Sequence, residues 1–272
     1  MAIRVGDIGI RAASALVLAP AAVLATWAGG FWFLGIMLAA CLLLAMEWAK
    51  MSAPGDWKAV ASAVVLALFA AVLAVSAGEL SVGLVLLVFG AAAAGLFARS
   101  RRGEGVDAAY GVLYLGWPAI LFVWLRDGTG EVGLNWTIMV LAIAWASDIV
   151  AYLVGSAVGG PKLWPRFSPN KTWSGFIGGI AAGAITGAGI ASWLEMGRMN
   201  VLWGAALGLV AALATMGGDL WESALKRRFG VKDAGAIIPG HGGLLDRVDG
   251  LMFAIVVVAA CRVLEMTLGR GL

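Results

Sequence analysis

Between Ser223 and Asp249 the chain gathers its only histidine, five cations and three carboxylates. On the helix leading into this stretch, Asp219, Glu222, Ser223 and Lys226 recur at spacings of three and four. Two carboxylates, a hydroxyl and an ammonium therefore share one helix face. Lys226-Arg227-Arg228 and Lys232 follow, then Pro239-Gly240-His241-Gly242-Gly243, a flexible backbone whose N–H groups could cradle phosphate. Asp246 and Asp249, three apart and flanking Arg247, open the last apolar run. Hard carboxylates beside clustered cations suit Mg²⁺ holding a polyphosphate, because that ion takes one or two carboxylates together with phosphate oxygens and water. A single histidine without cysteine partners argues against zinc. By itself His241 is also compatible with a plain turn, and at least one of Lys226, Arg227 and Arg228 reads as a charge that sets membrane orientation.

Two upstream segments extend this polar chemistry. Asp148, Tyr152 and Gly155 sit at i, i+4 and i+7, on one face of the sixth apolar run. An aspartate inside a membrane helix is a functional candidate by default, with a structural hydrogen bond as the alternative. Ser168-Pro169-Asn170-Lys171-Thr172-Trp173-Ser174 then leads into the seventh run. Ser168, Asn170, Lys171 and Thr172 offer hydroxyl, amide and ammonium donors beside a helix N-terminus, where the backbone favours an anion. Capping alone would account for Thr172 or Ser174, but not for the whole set.

The elements that must carry these residues are membrane helices. Hydrophobic residues make up 62% of the 272 and charged residues 13%, about half the share usual in soluble domains. Apolar runs fall at approximately 13 to 29, 31 to 49, 58 to 77, 80 to 98, 107 to 125, 134 to 155, 174 to 194, 200 to 225 and 250 to 268. The expected fold is all-α, one polytopic integral membrane domain of about nine helices. Residues 1–130 would form a membrane scaffold and residues 131–272 the half bearing the polar motifs. The first run follows Arg4 and Arg11, lacks a convincing cleavage site and reads as a retained anchor. Cys41 and Cys261 lie in apolar runs, far apart, and read as packing residues.

Lysine and arginine concentrate in loops that stay in the cytoplasm. With the N-terminus cytoplasmic, the inner segments hold fifteen of them, and the outer side holds only Arg126, Arg198 and Arg270. Arg262 is the one cation left within a run, with Glu265 three residues on as its expected partner; Glu47 and Lys50 read as a similar structural pair. Gly175, Gly179, Gly183 and Gly187 recur every four residues, the mark of close helix packing. Gly217-Gly218, directly before Asp219, predicts a bend or loosening of the eighth helix at membrane depth.

The run Ser223-x-x-Lys226-Arg227 through Lys232-Asp233, then His241-Gly-Gly-x-x-Asp246-Arg247-x-Asp249, resembles the diagnostic motif of the phosphatidate cytidylyltransferase family, also called CDP-diacylglycerol synthases. Asp148 to Tyr152 and Ser168 to Thr172 are similar to that family's two upstream motifs, in the same order. The match is dense over about the last 125 residues, whereas the first 130 agree only as generic membrane spans. Ser174 departs from the glutamate found in many relatives and is not assigned to metal.

The resemblance implies transfer of the cytidylyl group of CTP to phosphatidate, giving CDP-diacylglycerol and pyrophosphate, at a cytoplasm-facing site in a bacterial inner membrane. It points to Asp219, Asp246 and Asp249 as the metal-binding positions, with Asp148 in support. Lys171, Lys226, Arg227 and Arg247 would neutralise phosphates, and Ser168, Asn170 and Ser223 would orient them. Tyr152, Thr172, Lys232 and His241 complete the expected substrate contacts. The resemblance further suggests Mg²⁺, with K⁺ beside it, and a homodimer; membrane lipids are expected partners and nucleic acid is not. Two rivals remain open. A CTP-dependent lipid-alcohol kinase would release CDP instead of pyrophosphate. A cation transporter would need polar residues at the midplane, whereas here they gather at one membrane face.

Overall fold

The computed structural model describes residues 20–101, 105–165, 168–197, 199–235, 237 and 242–270. Residues 20–28 are helical (α1). Eight helices follow: α2 (Gly30–Ser52), α3 (Trp57–Ser76), α4 (Leu80–Ser100), α5 (Gly105–Asp127), α6 (Gly133–Val158), α7 (Trp173–Trp193), α8 (Val201–Arg228) and α9 (Leu245–Arg270). All eight are long and apolar enough to cross a membrane. At 1.5 Å per residue, even the shortest, of 20 residues, reaches about 30 Å, the thickness of the hydrocarbon core. Eight of the nine expected membrane helices are present and the break at Gly29-Gly30 is real, whereas the start of the first expected run, 13 to 29, lies outside the described residues. Both glycines have positive φ, 65° and 48°. Across the break, the Arg126 guanidinium donates to the carbonyls of Thr26 at 2.5 Å and Trp27 at 3.1 Å, satisfying the open C-terminal end of α1.

Departing from the purely helical expectation, the loop before α7 forms a two-stranded antiparallel ribbon. Strand β1 (Lys162–Trp164) pairs with β2 (Ser168–Thr172), with Lys162 opposite Thr172 and Trp164 opposite Ser168.

The chain divides into two compact units, the first comprising residues 1–128 and 228–247 and the second residues 129–227 and 248–272. In the first unit α2, α3, α4 and α5 pack together. The segment after α8, counted in the sequence with the motif-bearing half, belongs to this unit. Arg228 pairs with the buried Asp107 at 2.7 Å, and the Trp48 indole donates to the Asp107 carbonyl at 2.9 Å. Phe229 meets the same indole edge-on, with ring centroids 5.6 Å apart.

In the second unit, Gly175, Gly179, Gly183 and Gly187 are all buried along one face of α7. A Cβ at Gly175 would stand 2.6 Å from the Ala151 carbonyl of α6, and one at Gly183 would stand 2.7 Å from the Gly208 carbonyl of α8. The four-residue repeat therefore lets α7 lie backbone to backbone against both helices. Gly217-Gly218 differs from its expected role, because α8 runs through the pair as unbroken helix. Gly218 is small because α9 passes there: a Cβ would lie 2.6 Å from the Asp249 carbonyl and 2.8 Å from the Phe253 ring. Gly217 has open space around its Cβ position. Arg262 pairs with Glu265 as the spacing suggests, and it also reaches the Thr129 carbonyl at 3.5 Å and lies over the Trp136 ring.

Candidate active site

The second unit assembles acidic and basic side chains from four elements. On α6, Asp148 and Tyr152 lie one turn apart on an exposed face, with Tyr152 73% exposed. The next turn, at Gly155, is pressed against α7; a Cβ there would stand 2.9 Å from the Thr172 hydroxyl. Thr172 is the N-cap of α7 and accepts from the Gly175 N–H at 3.2 Å. Its hydroxyl also meets that of Ser174 at 3.0 Å, and Ser174 in turn donates to the Gly159 carbonyl at 2.5 Å. The two hydroxyls thus tie the ribbon to the helix it enters, and Thr172 is buried. From β2, where Ser168 is half-buried and Asn170 exposed, Lys171 extends its ammonium onto the Asp219 carboxylate.

Asp219 lies one turn before Glu222 on α8. Glu222 is 0% exposed and pairs with Lys226 at 2.5 Å along the same helix. Ser223 is half-buried on this turn and Arg227 is exposed. The Gly218 contact brings α9 alongside, so that Asp249 enters the same neighbourhood, its carboxylate accepting from the Gly250 N–H at 2.7 Å. Asp148, Asp219 and Glu222 all lie close enough to Asp249 to act on it electrostatically, and Lys171 does the same to Asp148. Four carboxylates and two ammonium groups are thereby drawn together in the second unit.

Asp246 lies in the first unit, where its carboxylate accepts from the backbone N–H groups of Gly243 at 2.8 Å and Ala234 at 3.1 Å. Lys232 and Arg247 are exposed there, and His241 lies outside the described residues. Among the described residues, no group of three or more His, Cys, Asp or Glu side chains is arranged to hold a metal ion.

Sequence reasoning did not read the place of two carboxylates, Glu222 in the second unit and Glu47 in the first. Glu222 was legible, since it shares the Asp219 face, yet it was named there without a role. Glu47 was read as a partner for Lys50, whereas its carboxylate accepts from the N–H groups of Leu244 and Leu245, both at 2.8 Å. Lys50 lies 4.9 Å from the centroid of the Trp57 ring and still acts on Glu47 electrostatically.

A chain of membrane-spanning helices that collects carboxylates, ammonium groups and hydroxyls in one unit has the equipment of an enzyme handling phosphorylated substrates at a lipid surface. The cytidylyltransferase family model matches residues 9–264, and this chain belongs to that family. Among its relatives, a protein of Brucella melitensis biotype 1 named phosphatidate cytidylyltransferase is 38% identical over 255 residues, 90% of this chain and 89% of the relative. A protein of the same name from Staphylococcus aureus strain COL is 41% identical over 157 residues, 57% of this chain and 59% of the relative.

Proposed function

We propose that this integral membrane protein is a nucleotidyltransferase that moves the cytidylyl group of CTP onto phosphatidate, forming CDP-diacylglycerol and pyrophosphate. The observation that carries the reading is the cluster of Asp148, Lys171, Asp219, Glu222, Lys226 and Asp249 in a chain of this family. Phosphatidate supplies its own nucleophile, an anionic phosphate oxygen. As that oxygen bonds to the α-phosphorus of CTP, the bond from the α-phosphorus to the bridging oxygen breaks, and pyrophosphate departs with the electron pair. No proton has to be removed from the nucleophile, so the protein's work is alignment and charge compensation.

Lys171 and Lys226 supply positive charge to the phosphates. Their pairing with Asp219 and Glu222 fixes the ammonium groups, Lys226 along α8 and Lys171 on a ribbon that Thr172 ties to α7. Ser168, Asn170, Ser223 and Arg227 offer donors to the same anionic groups. The chemistry of the donor set suits a hard divalent cation, because Mg²⁺ needs only one or two carboxylates and completes its shell with phosphate oxygens and water, so no preformed cluster of three is required. Asp219 and Asp249 would hold it, with Asp148 in support. When bound, Mg²⁺ would offset the charge of the departing pyrophosphate.

The reading also takes the protein as a homodimer in a bacterial inner membrane with the site on the cytoplasmic side, and K⁺ beside the Mg²⁺. The cation distribution supports the orientation: alternating spans put the N-terminal segment and the segments after α2, α4, α6 and α8, with their flanking helix ends, on one side, with fifteen lysines and arginines against three.

The test is product analysis with purified protein, CTP, phosphatidate and Mg²⁺. Equimolar pyrophosphate and CDP-diacylglycerol are expected. Release of CDP, with phosphate moved onto a lipid alcohol, would assign the chain to the rival kinase reaction.

A further inference from the structure

Glu47 is a carboxylate that the cluster on the second unit does not use. It is 0% exposed on α2, and its two oxygens are divided between two consecutive backbone donors, Leu244 N–H and Leu245 N–H, each at 2.8 Å. Those amides open α9, whose N-cap position is Leu244 and whose first residue is Leu245. The first N–H groups of a helix have no partner within it. A leucine has no side-chain acceptor with which to cap them, so a carboxylate from elsewhere in the chain takes that place and also meets the positive end of the helix dipole.

The loop is shaped to admit this carboxylate. A Cβ at Gly235 would stand 2.7 Å from Glu47 Oε1, and one at Gly243 would stand 2.8 Å from Oε2. Two glycines from different parts of the segment therefore close on the carboxylate. Asp246 fastens the same turn from within, accepting from Ala234 and Gly243. A group buried only for stability could have been satisfied along its own helix; this one crosses nearly 200 residues of sequence to reach the segment that precedes Asp249.

We infer that Glu47 is a positioning residue for cytidylyl transfer: by capping the first turn of α9, it holds in register the helix on which Asp249 stands one turn later. The inference rests on the function proposed above. Glu47→Gln keeps one acceptor but loses the charge and presents an NH₂ group to a backbone donor, and Glu47→Leu removes both acceptors. Gly243→Ala leaves every functional group in place and forces the loop away from the carboxylate.

Hydrogen–deuterium exchange of the peptide covering 242–250, measured together with kcat and KM for CTP and phosphatidate, tests the inference. In Glu47→Gln and Gly243→Ala, exchange at 242–250 should accelerate while peptides from α3 and α4 remain at wild-type rates. Values of kcat/KM should fall by about 10- to 100-fold, the factor corresponding to loss of charge-assisted hydrogen bonds. Glu47→Gln should retain more activity than Glu47→Leu. If Glu47→Leu does not fold, Gly243→Ala decides. Wild-type exchange in Gly243→Ala and Glu47→Gln, or accelerated exchange with wild-type kcat/KM, overturns the inference. A wild-type protein that protects 242–250 yet makes no CDP-diacylglycerol counts against the assigned reaction and not against the cap.

Discussion

Gly217 and Gly218 are neighbours on α8 and invite the same substitution, yet they should respond in opposite directions. Alanine at 217 meets open space and replaces the poorest ordinary helix former with the best, a gain of up to about 1 kcal/mol. Alanine at 218 places its methyl 2.6 Å from the Asp249 carbonyl, 2.8 Å from the Phe253 ring and 3.1 Å from the Gly250 Cα. Two of those three atoms are backbone, so α9 has to move by several tenths of an ångström. Such overpacking costs about 1–3 kcal/mol. The two variants should therefore differ by about 1–4 kcal/mol, with Gly218→Ala the less stable. Thermal unfolding of both proteins in one detergent measures the difference. Turnover at a temperature where both are folded should also be lower in Gly218→Ala, since the displaced turn carries Asp249. Equal melting temperatures and equal activities would refute the close contact and restore the reading of the pair as a bend or loosening of α8.

Arg262→Leu should lower thermal stability by about 3–5 kcal/mol, the cost of breaking a buried ion pair, while the folded fraction keeps wild-type turnover. A stable but inactive Arg262→Leu protein would give this residue a catalytic role instead. Orientation can be read by cysteine labelling in intact cells. Ser100→Cys, at the end of α4, should be protected from an impermeant reagent, whereas Gly128→Cys, just after α5, should react; the opposite pattern would invert the topology.

The helices were legible because a membrane demands long apolar runs, and such runs persist whatever packs beside them. The glycine repeat of α7 was legible for a related reason: a four-residue period on a helix leaves few readings other than close approach. Other features depended on partners distant in sequence. Lys171 meets Asp219 across 48 residues, and Glu47 meets Leu244 and Leu245 across 197 and 198. No local spacing announces either contact. Gly217-Gly218 was misread because glycine serves both flexibility and close approach, and only the position of α9 distinguishes them. Residues 168–172 look like a loop rich in donors, and their ribbon pairing depends on Lys162 and Trp164 opposite them. The Thr172 hydroxyl caps α7, a role its place before a helix had already made available.

The central claim is that the cluster around Asp219 and Asp249 is where cytidylyl transfer takes place. The most direct measurement is CDP-diacylglycerol formation by Asp219→Asn and Asp249→Asn at varied Mg²⁺, with melting temperature and membrane insertion followed in the same preparations. An amide keeps the size of the side chain but removes the charge that would hold Mg²⁺ and, at Asp219, anchor Lys171. Turnover should fall by at least about a hundredfold in both variants, on the scale of losing one preorganised electrostatic group, while insertion and folding persist. Near-wild-type turnover at limiting Mg²⁺ in either variant would contradict the assignment of the reaction to this cluster.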